Sequence, residues 1–364
     1  MEIATVDLYR YELSLTTPLR LGASTTQHRR GLLVRLETEQ GGIGWGDAAP
    51  LPGFSAETLS EVVACARDTA PQWAGTEISE PEGGLEDSLS ALPMPEESPA
   101  SLRFATESAV VDLLASVCDT SVASVLGAPR TTVALNALIP STDDGPAQAA
   151  QYREEGYRAV KVKVGQREMA KEADALRAIR NELGERVALR VDANRAWSLD
   201  EAVEFAEATR DLQIAYVEEP LADPGQLEDL AQKTDVPIAL DETTREVNPK
   251  VLRDEMSVAA VVLKPTLLGG IRETRAWSQT AQEHVITPVL SAAYESGIGL
   301  RMLVALAAVG PDTPVGLSTY DRLADDVLLP PLRVDGPTID VKSVVDAPGF
   351  VDEDQLEHID AFSA

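Results

Sequence analysis

The chain has 364 residues, 44% of them hydrophobic, enough to build one large barrel and a smaller domain. Sixty acidic residues against 31 basic ones leave a net charge of −29, which disfavours nucleic acid and anionic membranes as partners. No run of about 18 apolar residues is present to span a bilayer, and Met1-Glu2-Ile3-Ala4 lacks the basic-then-apolar layout of a signal peptide, so a cytoplasmic setting is expected.

In chain order, residues 3–15 and 31–37 carry strand patterns, and Gly41-Gly42 suits a hairpin turn before a further strand at 43–46. The polar stretch 16–30 reads as a mobile loop whose Arg20, Arg29 and Arg30 make it either a candidate clamp or, at least as well, a solvated basic loop. Residues 56–74 have helical periodicity behind Ser55 as cap, with Glu57 in the first turn; 99–126 form a strongly apolar helix ending near Gly127. Between them, 77–99 is rich in Glu, Pro, Ser and Gly and reads as loop or short helices. From residue 133 the pattern changes to short apolar strands at 133–139, 159–164, 188–192, 214–218, 237–241, 259–264, 285–290 and 314–318, with helical stretches such as 167–183, 199–212 and 271–283 between. Eight strands alternating with helices imply parallel βαβ units that close into a barrel. The open doubly wound alternative lacks its Gly-rich phosphate fingerprint. A Pro- and Asp-rich tail, with a strand at 338–341, returns to the N-terminal part. The expected organisation is a capping domain over 1–128, a barrel over 129–322 and the tail over 323–364.

Charge suggests where chemistry lies. An acidic surface poor in lysine suits a protein working in concentrated salt, where screening removes self-repulsion. Only seven lysines occur, and none before Lys161, so some of those present are expected to serve a role that an always-charged arginine cannot. Cys65 and Cys118 have no metal or disulfide spacing and read as buried thiols in a reducing cytosol.

Five charged signatures recur at predicted strand ends: Lys161-Val162-Lys163, Asp192-Ala193-Asn194, Glu218-Glu219-Pro220, Asp241-Glu242 and Lys264-Pro265. From Lys163 through Asp192, Glu218, Asp241 and Lys264, the successive intervals are 29, 26, 23 and 23 residues, about one βα unit each. Singly, each signature is better explained as a solvated face, a loop start or a turn. Their shared phase with the strand ends is not explained that way. A period of two sends Lys161 and Lys163 to one face and Val160, Val162 and Val164 to the other, with Arg190, Asp192 and Asn194 likewise facing inward.

Asp192, Glu218 and Asp241 supply hard oxygen ligands that suit Mg²⁺, with Mn²⁺ as substitute. Zinc would want His or Cys, and His28, His284 and His358 stand at no strand end. Mg²⁺ on a substrate carboxylate stabilises the enediolate left when the α-proton departs. Lys163 and Lys264, on strands across the mouth, are placed for acid/base work, with burial and nearby cations expected to lower a lysine pKa.

At these residues the chain resembles the enolase superfamily, in its muconate-lactonizing-enzyme-like subgroup. The resemblance covers nearly the whole chain and implies a modified (β/α)7β barrel of the TIM type under an α+β capping domain built from the N-terminus and the C-terminal tail. It implies Lys163 and Lys264 as the acid/base pair, with Lys161 beside them, and Asp192, Glu218 and Asp241 as Mg²⁺ ligands. The stretches Gly44-Trp45-Gly46-Asp47-Ala48-Ala49-Pro50-Leu51-Pro52-Gly53-Phe54-Ser55, Arg190-Val191-Asp192-Ala193-Asn194-Arg195-Ala196-Trp197, Ser291-Ala292-Ala293-Tyr294-Glu295-Ser296-Gly297-Ile298-Gly299 and Gly316-Leu317-Ser318-Thr319 resemble the o-succinylbenzoate synthase family.

That finer resemblance implies substrate contacts from Arg190, Asn194, Gly53, Phe54, Ser55, Ser291, Ser296, Gly297, Leu317 and Ser318. It also implies a small carboxylate substrate, dehydrated on the path to menaquinone. Residues 292 and 293 are alanines where some relatives carry serines, leaving only backbone contacts there. An N-succinylamino acid racemase or other epimerase on the same scaffold is the nearest rival. A non-catalytic metabolite-binding barrel is the rival from another class, against which all five signatures stand intact.

Overall fold

Alternating apolar residues in the first 48 positions build an antiparallel sheet. The computed structural model describes residues 1–21, 24–79, 84–253, 258–346 and 350–364. In it β1 (Ile3–Leu21) pairs with β2 (Ser24–Thr38), and β2 with β3 (Ile43–Ala48). Val6 and Leu8 of β1, with Leu32, Val34 and Leu36 of β2, pack on helices Leu59–Thr69 and Ala100–Val117. Tyr9, Tyr11 and Leu13 point to the other face and join a cluster with the barrel helix Gly297–Val309. The sheet is thus sandwiched between its own helices and the barrel, which docks the cap.

Four local expectations are corrected here, the first being burial of the cysteines: Cys65 is half-buried and Cys118, just past the end of a helix, is exposed. The stretch 16–30 is largely strand: β1 and β2 run on past an irregularity between Ser14 and Leu19, where the ladder satisfies backbone groups that a loop would leave to water. Leu19 is buried beside Leu51, Leu267 and Ala293. The side chain of Arg20 lies outside the described residues. The helix begins at Leu59, capped by Thr58 in a reciprocal box with Glu61, and not by Ser55. Ser55 Oγ accepts from Leu51 N within the preceding turn, while Glu57 caps the helix Ala100–Val117 by accepting from Ser101 N (3.0 Å) and Oγ (2.7 Å). The long apolar helix ends at Val117, with a separate short helix, Val122–Val125, beyond Asp119 in the left-handed region.

The barrel starts with β4 (Thr132–Ala134) and β5 (Asn136–Ile139), a single strand in the sequence pattern. Then follow β6 (Ala159–Lys163), β7 (Ala188–Asp192), β8 (Ile214–Glu218), β9 (Ile238–Leu240), β10 (Val258–Leu263) and β11 (Thr287–Leu290). β5 to β11 lie in chain order in one parallel sheet, with helical crossovers outside. The eighth strand, expected at 314–318, is reduced to bridges that still close the ring: Leu135 pairs with Val315, and Ser291 with Gly316. Asn136 N donates to Val315 O and Gly316 N to Leu290 O, each at 2.9 Å. Val160, Val162 and Val164 face outward under the helices, as alternation predicts.

In the tail come β12 (Leu328–Leu329), β13 (Thr338–Asp340), β14 (Phe350–Val351) and β15 (Glu357–Ser363). The strand expected near 338–341 pairs with β4 of the barrel; β15 is the one that returns to the cap, against β1. Among the described residues no helix is long and apolar enough to cross a membrane.

Candidate active site

Strand register alone assembles the first row of the barrel mouth. Lys163 lies opposite Asp192 across β6 and β7, and Asp192 opposite Glu218 across β7 and β8. Neighbouring strands run about 4.8 Å apart, so an ammonium and two carboxylates meet without help from a loop. Lys163 Nζ donates to Asp192 Oδ2 at 2.7 Å and to Asn194 Oδ1. Lys161, one pleat deeper, donates to Glu218 Oε1 and Oε2 at 2.7 and 3.0 Å and lies 2.7 Å from Asp192 Oδ2. Four strands round the ring, hence on the opposite wall, Lys264 Nζ donates to Asp241 Oδ2. Lys163 is the most open of the three, its side chain 28% exposed against 16% for Lys161 and 18% for Lys264.

The three carboxylates are buried, and burial raises the pKa of each. Lys161 and Lys163 more than reverse this for Asp192, and Lys264 reverses it for Asp241, so both titrate below the usual range. Glu218 goes the other way: burial, then the neighbouring Asp192 and Asp241, outweigh its share of Lys161 and push it up to about 8. Lys264 corrects an expectation. Burial lowers it, but Asp241 and Glu218 raise it above the ordinary value, the opposite of the lowering anticipated, and the acidic neighbours of Lys161 raise that lysine in the same way.

Each of these carboxylates faces an ammonium, and among the described residues no three acidic, His or Cys side chains form a ready cage for a metal. The donor set nevertheless fits a hard divalent cation. Three carboxylates stand at adjacent strand ends, and the upward push on Glu218 from its two acidic neighbours is a crowding of negative charge that such a cation relieves.

The other expected contacts divide. Asn194 joins the site through Lys163. Gly53, with φ of 79°, turns the capping loop, and the Phe54 carbonyl accepts from Arg245 beyond β9, which ties that loop to the barrel rim. Ser318 opens a helical turn, Ser318–Arg322, after the eighth strand position, and Ser291 Oγ donates to Gly316 O at 3.3 Å.

Four others have places within the framework. Arg190 lies beneath the mouth, donating to Asn136 Oδ1 (3.0 Å), Pro314 O (2.7 Å) and Thr313 Oγ (3.1 Å) beside the Tyr216 ring. Ser296 is buried and donates from N and Oγ to Asp47 at 2.8 Å; Gly297 N donates to Asp326 Oδ1, and a Cβ there would meet Asp326 Oδ2 at 2.1 Å. Leu317 is wholly buried in the core. The backbone contacts left to Ala292 and Ala293 are also taken, by Gly316 O and Glu295 Oε2.

Sequence reasoning passed over Glu219, Arg195 and Thr243, which bond to one another at the same strand ends. The doubled acid of Glu218-Glu219-Pro220 was the available signal, but a spacing rule does not say which of two adjacent carboxylates points where. A cleft of about 830 Å³ lies on the cap, lined in part by Arg10, His28, Arg30 and Glu57. No such convergence of lysines and carboxylates occurs there, so the barrel mouth remains the candidate.

Comparisons with known proteins place the chain by sequence and fold. Residues 146–351 match the family model described as enolase C-terminal domain-like, and residues 3–85 match the MenC N-terminal domain. The o-succinylbenzoate synthase of Yersinia pseudotuberculosis is 32% identical over 331 residues, 90% of this chain and 93% of that protein. An enolase-superfamily member from Roseovarius nubinhibens shares the fold with a TM-score of 0.86 at 20% identity, covering 100% of both chains. A dipeptide epimerase from Cytophaga hutchinsonii, complexed with Mg and a dipeptide, does so with a TM-score of 0.82 at 21% identity, again covering 100% of both.

Proposed function

The chain belongs to the enolase superfamily, and from that premise we propose that it is an o-succinylbenzoate synthase. It is an enzyme of the lyase (dehydratase) kind. The reaction is the syn dehydration of 2-succinyl-6-hydroxy-2,4-cyclohexadiene-1-carboxylate to 2-succinylbenzoate, a step toward menaquinone. The observation that carries the reading is the pair of lysines on opposite walls, Lys163 beside Asp192 and Lys264 beside Asp241, with Glu218 between the two carboxylates along the rim.

Asp192, Glu218 and Asp241 would hold Mg²⁺, which supplies a positive field for charge gathering on the substrate carboxylate. Lys163, the most open lysine, gives its own proton to solvent and, as the neutral amine, takes the proton from the carbon bearing the ring carboxylate. The C–O bond to the ring hydroxyl then breaks, and Lys163 returns the proton so that the hydroxyl leaves as water and the ring becomes aromatic. Lys264 stays cationic opposite, a state favoured by Asp241, and stabilises the enediolate. Lys161, held between Asp192 and Glu218, keeps those side chains in place. The division into cap 1–128, barrel 129–322 and tail 323–364 belongs to the same reading, as does a cytoplasm of high ionic strength, which the charge of −29 supports.

The test is ultraviolet spectroscopy of the purified protein with Mg²⁺, in high salt, on the cyclohexadiene carboxylate. Aromatisation is expected, and it should vanish with EDTA and in Lys163→Ala. A folded wild type that forms no aromatic product, yet exchanges the α-proton of N-succinylamino acids, would move the assignment to a racemase using both lysines.

A further inference from the structure

Asp241 has φ of −121° and ψ of −79°, outside the strand region, so the ladder of β9 does not hold the residue that carries the carboxylate facing Lys264. What holds it is the neighbour of another site carboxylate. Glu219 is buried, and its φ of 41° puts a non-glycine residue in the left-handed region, where only firm surroundings keep it. Its Oε1 accepts from Asp241 N at 2.8 Å and Thr243 N at 2.7 Å. Its Oε2 accepts from Thr243 Oγ and Arg195 Nε, each at 2.9 Å. Four donors saturate this carboxylate, which removes it from service as a ligand or base.

Arg195 extends the network the other way. Its remaining nitrogens reach Thr243 Oγ at 3.0 Å and the Glu246 carboxylate at 2.7 and 2.9 Å, and its backbone N donates to Glu219 O at 2.7 Å. Asn194, immediately before it, is also left-handed and accepts from Lys163 Nζ. One carboxylate therefore joins the turn that holds Lys163 to the turn that holds Asp241.

We infer that Glu219 is a positioning residue that fixes both sides of the site at once: Lys163 through Arg195 and Asn194, and Asp241 through its backbone amide. The inference rests on the reading of the site as a lysine and metal-carboxylate centre. Glu219→Gln keeps the shape, but its amide nitrogen must face donors whichever way it turns.

The experiment titrates Mn²⁺ into the full-length wild type and Glu219→Gln by calorimetry, with melting temperature, kcat and KM measured alongside. In folded Glu219→Gln the Mn²⁺ Kd is expected to rise about 10–100-fold, with kcat falling by a similar factor and KM changing less. A lower melting temperature with Kd and kcat within about twofold of wild type would make Glu219 merely structural and overturn the inference. Should Glu219→Gln not fold, Thr243→Val, which removes one of the four donors, decides in its place: a several-fold rise in Kd supports the role, and an unchanged Kd ends it. A wild type that binds no Mn²⁺ sinks the metal reading itself, an outcome distinct from failure of the positioning role.

Discussion

The barrel mouth and the seam between cap and barrel both bury charged side chains, and they employ them in opposite ways. At the mouth, Lys161, Lys163 and Lys264 answer to Asp192, Glu218 and Asp241, so each charge depends on another side-chain charge. In the seam, partners are fixed. Arg29 is buried and donates to the carbonyls of Arg30, Ala49, Pro50, Ala293 and Tyr294, tying β2 and the capping loop to the rim after β11. Asp47 accepts from Tyr11, Ser296 N and Ser296 Oγ, and Glu107 accepts from the N–H groups of Ile271 and Arg272 at the start of a barrel helix. Burial of charge therefore does not by itself mark catalysis. Clusters of ionisable side chains paired with one another at strand ends are the better candidates for it, whereas charges saturated by main-chain groups hold parts together.

That contrast is open to attack. The largest effect is expected from Lys163→Ala: kcat for aromatisation should fall about 10²–10⁴-fold, with a melting temperature close to wild type. Asp241→Asn comes next; its Mg²⁺ affinity, read by calorimetry, should drop at least about tenfold. Marked unfolding in either variant would mean that the mouth, too, is a structural cluster.

Arg29→Met strikes the seam and leaves several carbonyls without their donor. Denaturant unfolding should show a loss of about 3 kcal/mol, while kcat of the folded fraction stays within about tenfold. Unchanged stability with collapsed turnover would erase the distinction between the two regions.

The smallest expected effect is a pH dependence. Burial pushes Glu107 up to about 7 against the pull of the Arg272 and Ile271 amides. A carboxyl raised in the folded state contributes its full stability below its ordinary value and loses it as pH rises through about 7. Both amides use Oε2 alone, so Glu107→Gln can offer its carbonyl oxygen to them without ionising. Its stability relative to wild type should grow between pH 5 and pH 8 by roughly 1–3 kcal/mol, measured by thermal melts. A difference that stays flat across that range would show that the seam does not feel this charge.

The sequence by itself determined the parallel barrel and the row of charges on its rim. Strand alternation and the βα repeat are local periodicities, and the ladder turns them directly into Lys163, Asp192 and Glu218 side by side. Only the tertiary structure decided which polar residues remained available for chemistry. Ser296 is taken by Asp47 from 249 positions away, Arg190 by Thr313 and Pro314, and Glu219 by the turns on either side of it. The extension of the first hairpin through 16–30 was likewise settled by pairing and by burial of Leu19 among residues of the cap and the barrel rim. Contacts of this kind join residues that share no period along the chain, so no local pattern encodes them; they exist only once the cap has docked and the ring has closed.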